Sequence, residues 1–171
     1  MDADGNEHED QSKKTIRYLV PLYNQGNYKL CWSYCQTMIE SYQKGEVYGK
    51  AHADYRAHEI AREVYGDDIH NWNKAGWPTN MGEEISITNI LELYALLDNN
   101  GPLYAFHKGN GGSHLVVVTG INLYNRKIYT NNPHGVYGIQ SYEDFLSGYA
   151  LANGQTKEDR QLQYVITVFG D

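Results

Sequence analysis

Apolar side chains recur at helical spacing through the first hundred residues and at strand spacing after that. Cys31, Cys35, Met38, Ile39 and Tyr42 share one face of a predicted helix that follows the Gly26-Asn27 turn and stops at Gly45. Ala57, Ile60, Ala61 and Val64 form the face of a second helix, closed by Gly66. A third is expected over 86–98, with Ile87, Ile90, Leu91, Tyr94 and Leu97 inward and Ser86 or Thr88 as its cap. Residues 67–84 have no period and hold Gly76, Pro78 and Gly82, so they read as a long loop, of a length that often carries function. Thr15 to Leu22 is β-branched and apolar around Pro21, the pattern of a short edge strand or extended segment.

After Gly101-Pro102 the period changes. Leu103 to Phe106, Leu115 to Ile121, Lys127 to Thr130 and Leu162 to Phe169 read as strands, with a hairpin turn at Tyr124-Asn125-Arg126. Ser141-x-x-Asp144 ahead of Phe145 and Leu146 predicts a short capped helix. Helices first and antiparallel strands second is an α+β pattern, with a helical half packed on a sheet half. The polar run 1–14 reads as a solvated tail or linker, leaving 15–171 as one domain.

Composition narrows the function classes. The chain has 171 residues, 41% apolar and 20% charged, which is globular and large enough to fold without a disulfide or metal. Its two cysteines exclude a disulfide framework and any four-cysteine zinc or iron–sulfur site. A net charge of −7 argues against a nucleic-acid partner. No apolar run is long enough to span a membrane. His58-Glu59-x-x-Arg62 opens like a zinc-protease helix but lacks the second histidine. His52, His58 and His70 have no ligand spacing, so neither metal nor cofactor is expected.

The remaining chemistry converges on a thiol. Cys31 stands at a predicted helix N-terminus, where unpaired N–H groups and the macrodipole favour an anion and should lower the thiol pKa. His114 opens an apolar strand after Gly111-Gly112-Ser113, and Asn132 ends the next strand of the hairpin, just before Pro133-His134-Gly135. An Asn132 amide oxygen accepting the Nδ1 proton would leave Nε2 of His114 facing the sulfur. Asn131 is the rival orienter, and Asn132 is preferred because it directly precedes the Pro-x-Gly turn. Gln25, six residues before Cys31, could donate to a developing oxyanion alongside the Cys31 N–H. Cys35, one turn on, reads as core. Gly111, Gly112, Ser113 and Trp32 are candidates for contact with substrate. Trp72 and Trp77 read first as packing residues and second as cleft walls.

The run Gln25-Gly26-x4-Cys31-Trp32 resembles the papain-like cysteine peptidases, as do His114 to Gly120 and Asn132 to Gly135. The interval from Cys31 to His114 is 83 residues, against roughly 130–150 in the plant and lysosomal enzymes. That interval, Val20-Pro21-Leu22-x-x-Gln25 and Gly111-Gly112-x-His114 are similar to the compact bacterial branch, which includes double-glycine leader peptidase-like domains and small secreted proteases. The resemblance implies Cys31 as nucleophile, His114 as general base and acid, Asn132 as orienter and Gln25 as oxyanion donor. It also implies a papain-like fold and a peptide or protein substrate. His134 stands where the family usually has tryptophan, which would leave the His114–Asn132 bond more open to water.

The expectation is a monomeric cysteine peptidase without cofactor, extracytoplasmic or secreted, and otherwise cytoplasmic. Two alternatives accompany it: a papain-fold binding module that has lost hydrolysis, and another Cys-His acyl transferase or amidase.

Overall fold

The computed structural model describes residues 14–68 and 81–168. The expected tail up to position 13, the loop tryptophans Trp72 and Trp77, and Phe169 lie outside the described residues. The Leu123 N–H donates to the Lys14 carbonyl at 2.9 Å, so pairing begins at a residue assigned to the tail.

Helix α1 (Cys31–Lys44) ends at Gly45 in the left-handed region, φ 70°, as its pattern predicts. It is buried on more than its apolar stripe, because Ser33, Thr37 and Ser41 are buried too. Their hydroxyls donate to Leu30 O at 3.3 Å, Ser33 O at 2.8 Å and Met38 O at 3.1 Å, which satisfies them locally. Helix α2 (Lys50–Tyr65) lays Ala53, Ala57, Ile60 and Ala61 inward, and the small residues admit close approach. Arg56 clamps the two helices, its Nε donating to both Glu40 carboxylate oxygens at 3.0 Å. Val64 is 44% exposed, so it leaves the predicted inward face.

Strand β1 (Thr15–Arg17) is followed, after the two helices, by a short strand β2 (Glu83–Ile85) within the predicted loop. Helix α3 (Ile90–Asn100) starts later than its pattern suggests. Asn89 caps it, accepting the Glu92 N–H at 2.9 Å, while Glu92 accepts from the Thr88 N–H at 2.7 Å. Leu91 is 65% exposed and Leu93 takes the core position.

The remaining strands are β3 (Leu103–Gly109), β4 (Gly112–Asn122), β5 (Lys127–Asn132), β6 (Val136–Ser141), β7 (Tyr149–Ala150), β8 (Thr156–Lys157) and β9 (Arg160–Thr167). Helix α4 (Tyr142–Ser147) has the predicted cap, with Ser141 Oγ accepting the Asp144 N–H at 3.0 Å. The main sheet is antiparallel in the order β2-β9-β3-β4-β5-β6. β1 joins β4 beyond the bulge at Val118/Gly120, and β7 and β8 pair separately. Pattern alone misses β6 because Gly138 interrupts it. A Cβ there would sit 2.5 Å from both Ala150 Cβ and Thr130 Oγ1.

Strand alternation divides the core. Tyr104, Leu115, Val117 and Ile166 pack with α1 and α2. Leu103, Ala105, Val116, Val118, Ile121, Ile128 and Val165 pack with α3 and α4. The fold is α+β as expected, with α1 and α2 on one sheet face and α3 and α4 on the other. Among the described residues, no helix is long and apolar enough to cross a membrane.

Gly109 closes β3 against the β8–β9 turn, where a Cβ would overlap the backbone carbonyl of Asp159. Gly109→Ala is therefore expected to cost about 3 kcal/mol, because two backbones must separate. A urea midpoint within error of the parent would refute that close approach.

Candidate active site

β4 and β5 set His114 and Asn132 on the sheet face shared with α4. His114 Nε2 and Asn132 Oδ1 are 2.7 Å apart. The ring orientation reverses the sequence expectation: Nε2, not Nδ1, engages the amide oxygen. Asn132 is fully buried. Its Nδ2 donates to Ala150 O at 3.0 Å, and its Oδ1 also accepts the His134 N–H at 3.0 Å. Every polar atom of that amide is thus committed, which fixes the oxygen toward the imidazole. Asn131 points to the other face, donating to Val20 O at 2.8 Å, and anchors the segment that leads into α1.

The imidazole lies between two rings. His134 stacks on it at 4.6 Å with 27° between planes, and Tyr149 packs at 4.4 Å and 43°. His134 thus covers the His114–Asn132 bond, and His114 is only 4% exposed. The expectation of an unshielded bond is overturned, because an aromatic ring of any kind can occupy the place of the usual tryptophan.

Cys31 is the first residue of α1 and is partly exposed. The backbone N–H groups of Leu115, Trp32 and Cys31 itself face the sulfur. Leu115 follows His114 in the chain, so the thiol meets β4 one residue from the histidine. Cys35 is fully buried and donates its S–H to Leu115 O at 3.4 Å, which pins α1 to β4 at this level. Desolvation nonetheless pushes the Cys31 thiol up to about 11, against those N–H groups. A thiol already ionised by the helix terminus is not what the site contains. Desolvation also lowers His114 to about 3, against its hydrogen bond to Asn132. The resting pair is therefore a thiol and a neutral imidazole across the neutral range.

Gln25 is buried, and its N–H donates to Pro133 O at 2.7 Å, tying it to the turn after Asn132. Its Nε2 donates to Tyr28 O at 2.6 Å. That bond uses one amide hydrogen, so a second is left for a ligand.

Gly111 lies in the β3–β4 turn and Gly112 and Ser113 open β4, all three exposed. Gly112 has φ 121°, a conformation that side-chain-bearing residues rarely adopt, so the turn itself requires a glycine there. Trp32 is 2% exposed and meets Tyr65 edge-on at 5.9 Å. It is a core residue and not a substrate contact, because helix packing turns it away from solvent. A groove of about 690 Å³ lies on the opposite side of β5 and β6, lined by residues such as Leu19, Tyr129, Asn131 and Tyr137. It is not the place where His114 and Asn132 meet.

Three site residues escape sequence reasoning. Tyr149 packs on His114. Arg160 reaches Tyr149. His107 is the cross-strand partner of His114, with Nε2 2.8 Å from Phe145 O. Period two places His107 on the His114 face, but the register that pairs them is not readable from the chain.

His107 is fully buried and lowered to about 4, chiefly by burial. Both histidines bind protons more readily unfolded than folded. Their stabilising effect is complete above about pH 6.5 and is lost as pH falls toward 4 and then 3. Between pH 7 and pH 4.5 the unfolding free energy should drop by roughly 5 kcal/mol from these two groups. Urea unfolding at both pH values checks this, and a flat profile would contradict it.

A family model described as papain-like cysteine protease AvrRpt2 matches residues 11–149. No curated protein matches the chain significantly.

Proposed function

Because the chain belongs to the AvrRpt2 family of papain-like cysteine proteases, we propose that Cys31, His114, Asn132 and Gln25 carry out peptide-bond hydrolysis. The observation that carries this reading is the buried 2.7 Å His114–Asn132 bond, on a strand whose next residue, Leu115, turns its N–H to the α1 cysteine.

The Cys31 S–H proton passes to His114 Nδ1 as sulfur attacks the scissile carbonyl carbon, and the carbonyl π electrons move to its oxygen. Bound substrate excludes water, and the α1 N–H groups then stabilise the charge that develops. Gln25 Nε2 and the Cys31 N–H receive the oxyanion. Collapse expels the amine, which takes the proton from the imidazolium and leaves a thioester. His114 next accepts a proton from water as the water oxygen attacks the thioester. The second collapse releases the carboxylic acid and returns the proton to sulfur. A resting neutral pair suits this sequence, because an unprotonated Nδ1 is ready to accept.

The test is cleavage of an unbiased peptide library under reducing conditions, followed by mass spectrometry of a trapped Cys31 thioester. Cleavage with acylation at Cys31 supports the reading. Intact peptides across pH 6–8 would overturn it in favour of a binding module.

A further inference from the structure

Arg160 opens β9, and its side chain is 14% exposed. Its guanidinium spans two parts of the site. Nη2 donates to Gly111 O at 2.9 Å, in the turn that leads to His114. Nη1 donates to Tyr149 Oη at 3.3 Å, and the ring of Tyr149 packs on the His114 imidazole. The Asp159 carboxylate stands 3.8 Å from Nε and is 46% exposed, so it balances the charge without removing the guanidinium from the site.

Two diverging acceptors held by one planar fork are a task for arginine. A lysine ammonium has no fork with which to hold both. We propose that Arg160 is a positioning residue for His114, fixing both the turn that carries its backbone and the tyrosine ring that sets its imidazole plane, so that Nδ1 stays directed at the sulfur. The proposal rests on the reading of His114 as the general base.

The groups around the imidazole are consistent with it. His107 faces it from β3, Asn132 from β5, His134 from the following turn, Tyr149 from β7 and Arg160 from β9, while α1 brings Cys31 alongside Leu115. Arginine is the permanent charge in this set. It opposes protonation of His114 in the resting protein, in the same direction as burial.

The experiment compares Arg160→Met, Arg160→Lys and Tyr149→Phe with the parent in two measurements. The first is the ring-nitrogen spectrum of His114 by NMR over a pH series, which needs no turnover. The parent should show one tautomer, protonated at Nε2, persisting below pH 5. Arg160→Met should titrate about one unit higher and show mixed tautomers. Arg160→Lys should recover part of the titration shift but not the single tautomer. The second measurement is cleavage of a library-derived peptide. There kcat should fall about 10- to 100-fold in Arg160→Met, with a smaller change in KM.

Tyr149→Phe keeps the ring and loses only one acceptor. It should lower kcat by a few-fold, and it preserves the test if Arg160→Met fails to fold. An unchanged His114 spectrum in folded Arg160→Met, or in Arg160→Lys and Tyr149→Phe together, would overturn the proposal. Absence of cleavage by the parent would instead count against the hydrolase reading, while the spectrum would still report on Arg160.

Discussion

Cys31→Ala should abolish peptide cleavage, with kcat/KM falling by about 10⁴ or more, while the fold persists. The size follows from covalent catalysis: without sulfur there is no acyl-enzyme, and only binding and oxyanion stabilisation remain. The fold should tolerate the change because Cys31 is partly exposed at the first position of α1 and packs only at the margin of the core. Cys35→Ala is the contrasting variant. Cys35 is fully buried and bonded to the Leu115 carbonyl, so its loss should cost about 1–2 kcal/mol of stability while cleavage persists. Cleavage that survives Cys31→Ala would remove the thiol from the mechanism.

Asn132→Ala should cost both activity and stability, which few single changes here would do. Its amide serves His114 Nε2, the His134 N–H and the Ala150 carbonyl within a fully buried site. Truncation orphans all three, at about 2–3 kcal/mol of stability. It also frees the imidazole to rotate and to change tautomer, so kcat should fall roughly 10²- to 10³-fold. Asn132→Asp separates the two effects. A carboxylate still accepts from Nε2 and from the His134 N–H, so the ring stays oriented, and its charge favours the imidazolium. Activity should stay within about tenfold of the parent while the acid limb of the pH profile moves upward. Equal losses in both variants would show that the amide acts only in folding. A kcat within threefold of the parent in Asn132→Ala would remove its orienting role.

Much of this site is legible because its signals are local. A cysteine at a helix start, a glycine stop at 45 and a Ser141–Asp144 cap all follow from spacing along a few residues. The choice of Asn132 over Asn131 is legible for the same reason, since Asn132 directly precedes the Pro-x-Gly turn. What escapes depends on contacts between distant segments. The protonation of Cys31 is one example: the helix terminus argues for a thiolate, and desolvation by the surrounding sheet and loops outweighs it. The nitrogen that His114 offers to Asn132 depends on the cross-strand approach, not on either residue's type. Trp32 and Val64 exchange their expected environments because α1 is enclosed more completely than its stripe suggests, while α2 leaves one side open. β6 is hidden by a glycine whose reason, the side chains of Ala150 and Thr130, is apparent only in three dimensions.

The bond from the Gln25 N–H to the Pro133 carbonyl joins two ends of the site that are far apart in the chain. During synthesis the nucleophile emerges about a hundred residues before its orienting amide. At ribosomal rates that delay is ~5–20 s. Throughout it a nascent chain carries an exposed thiol with no partner to deprotonate it. On the proposed mechanism, hydrolytic competence therefore waits until Asn132 has emerged and folded.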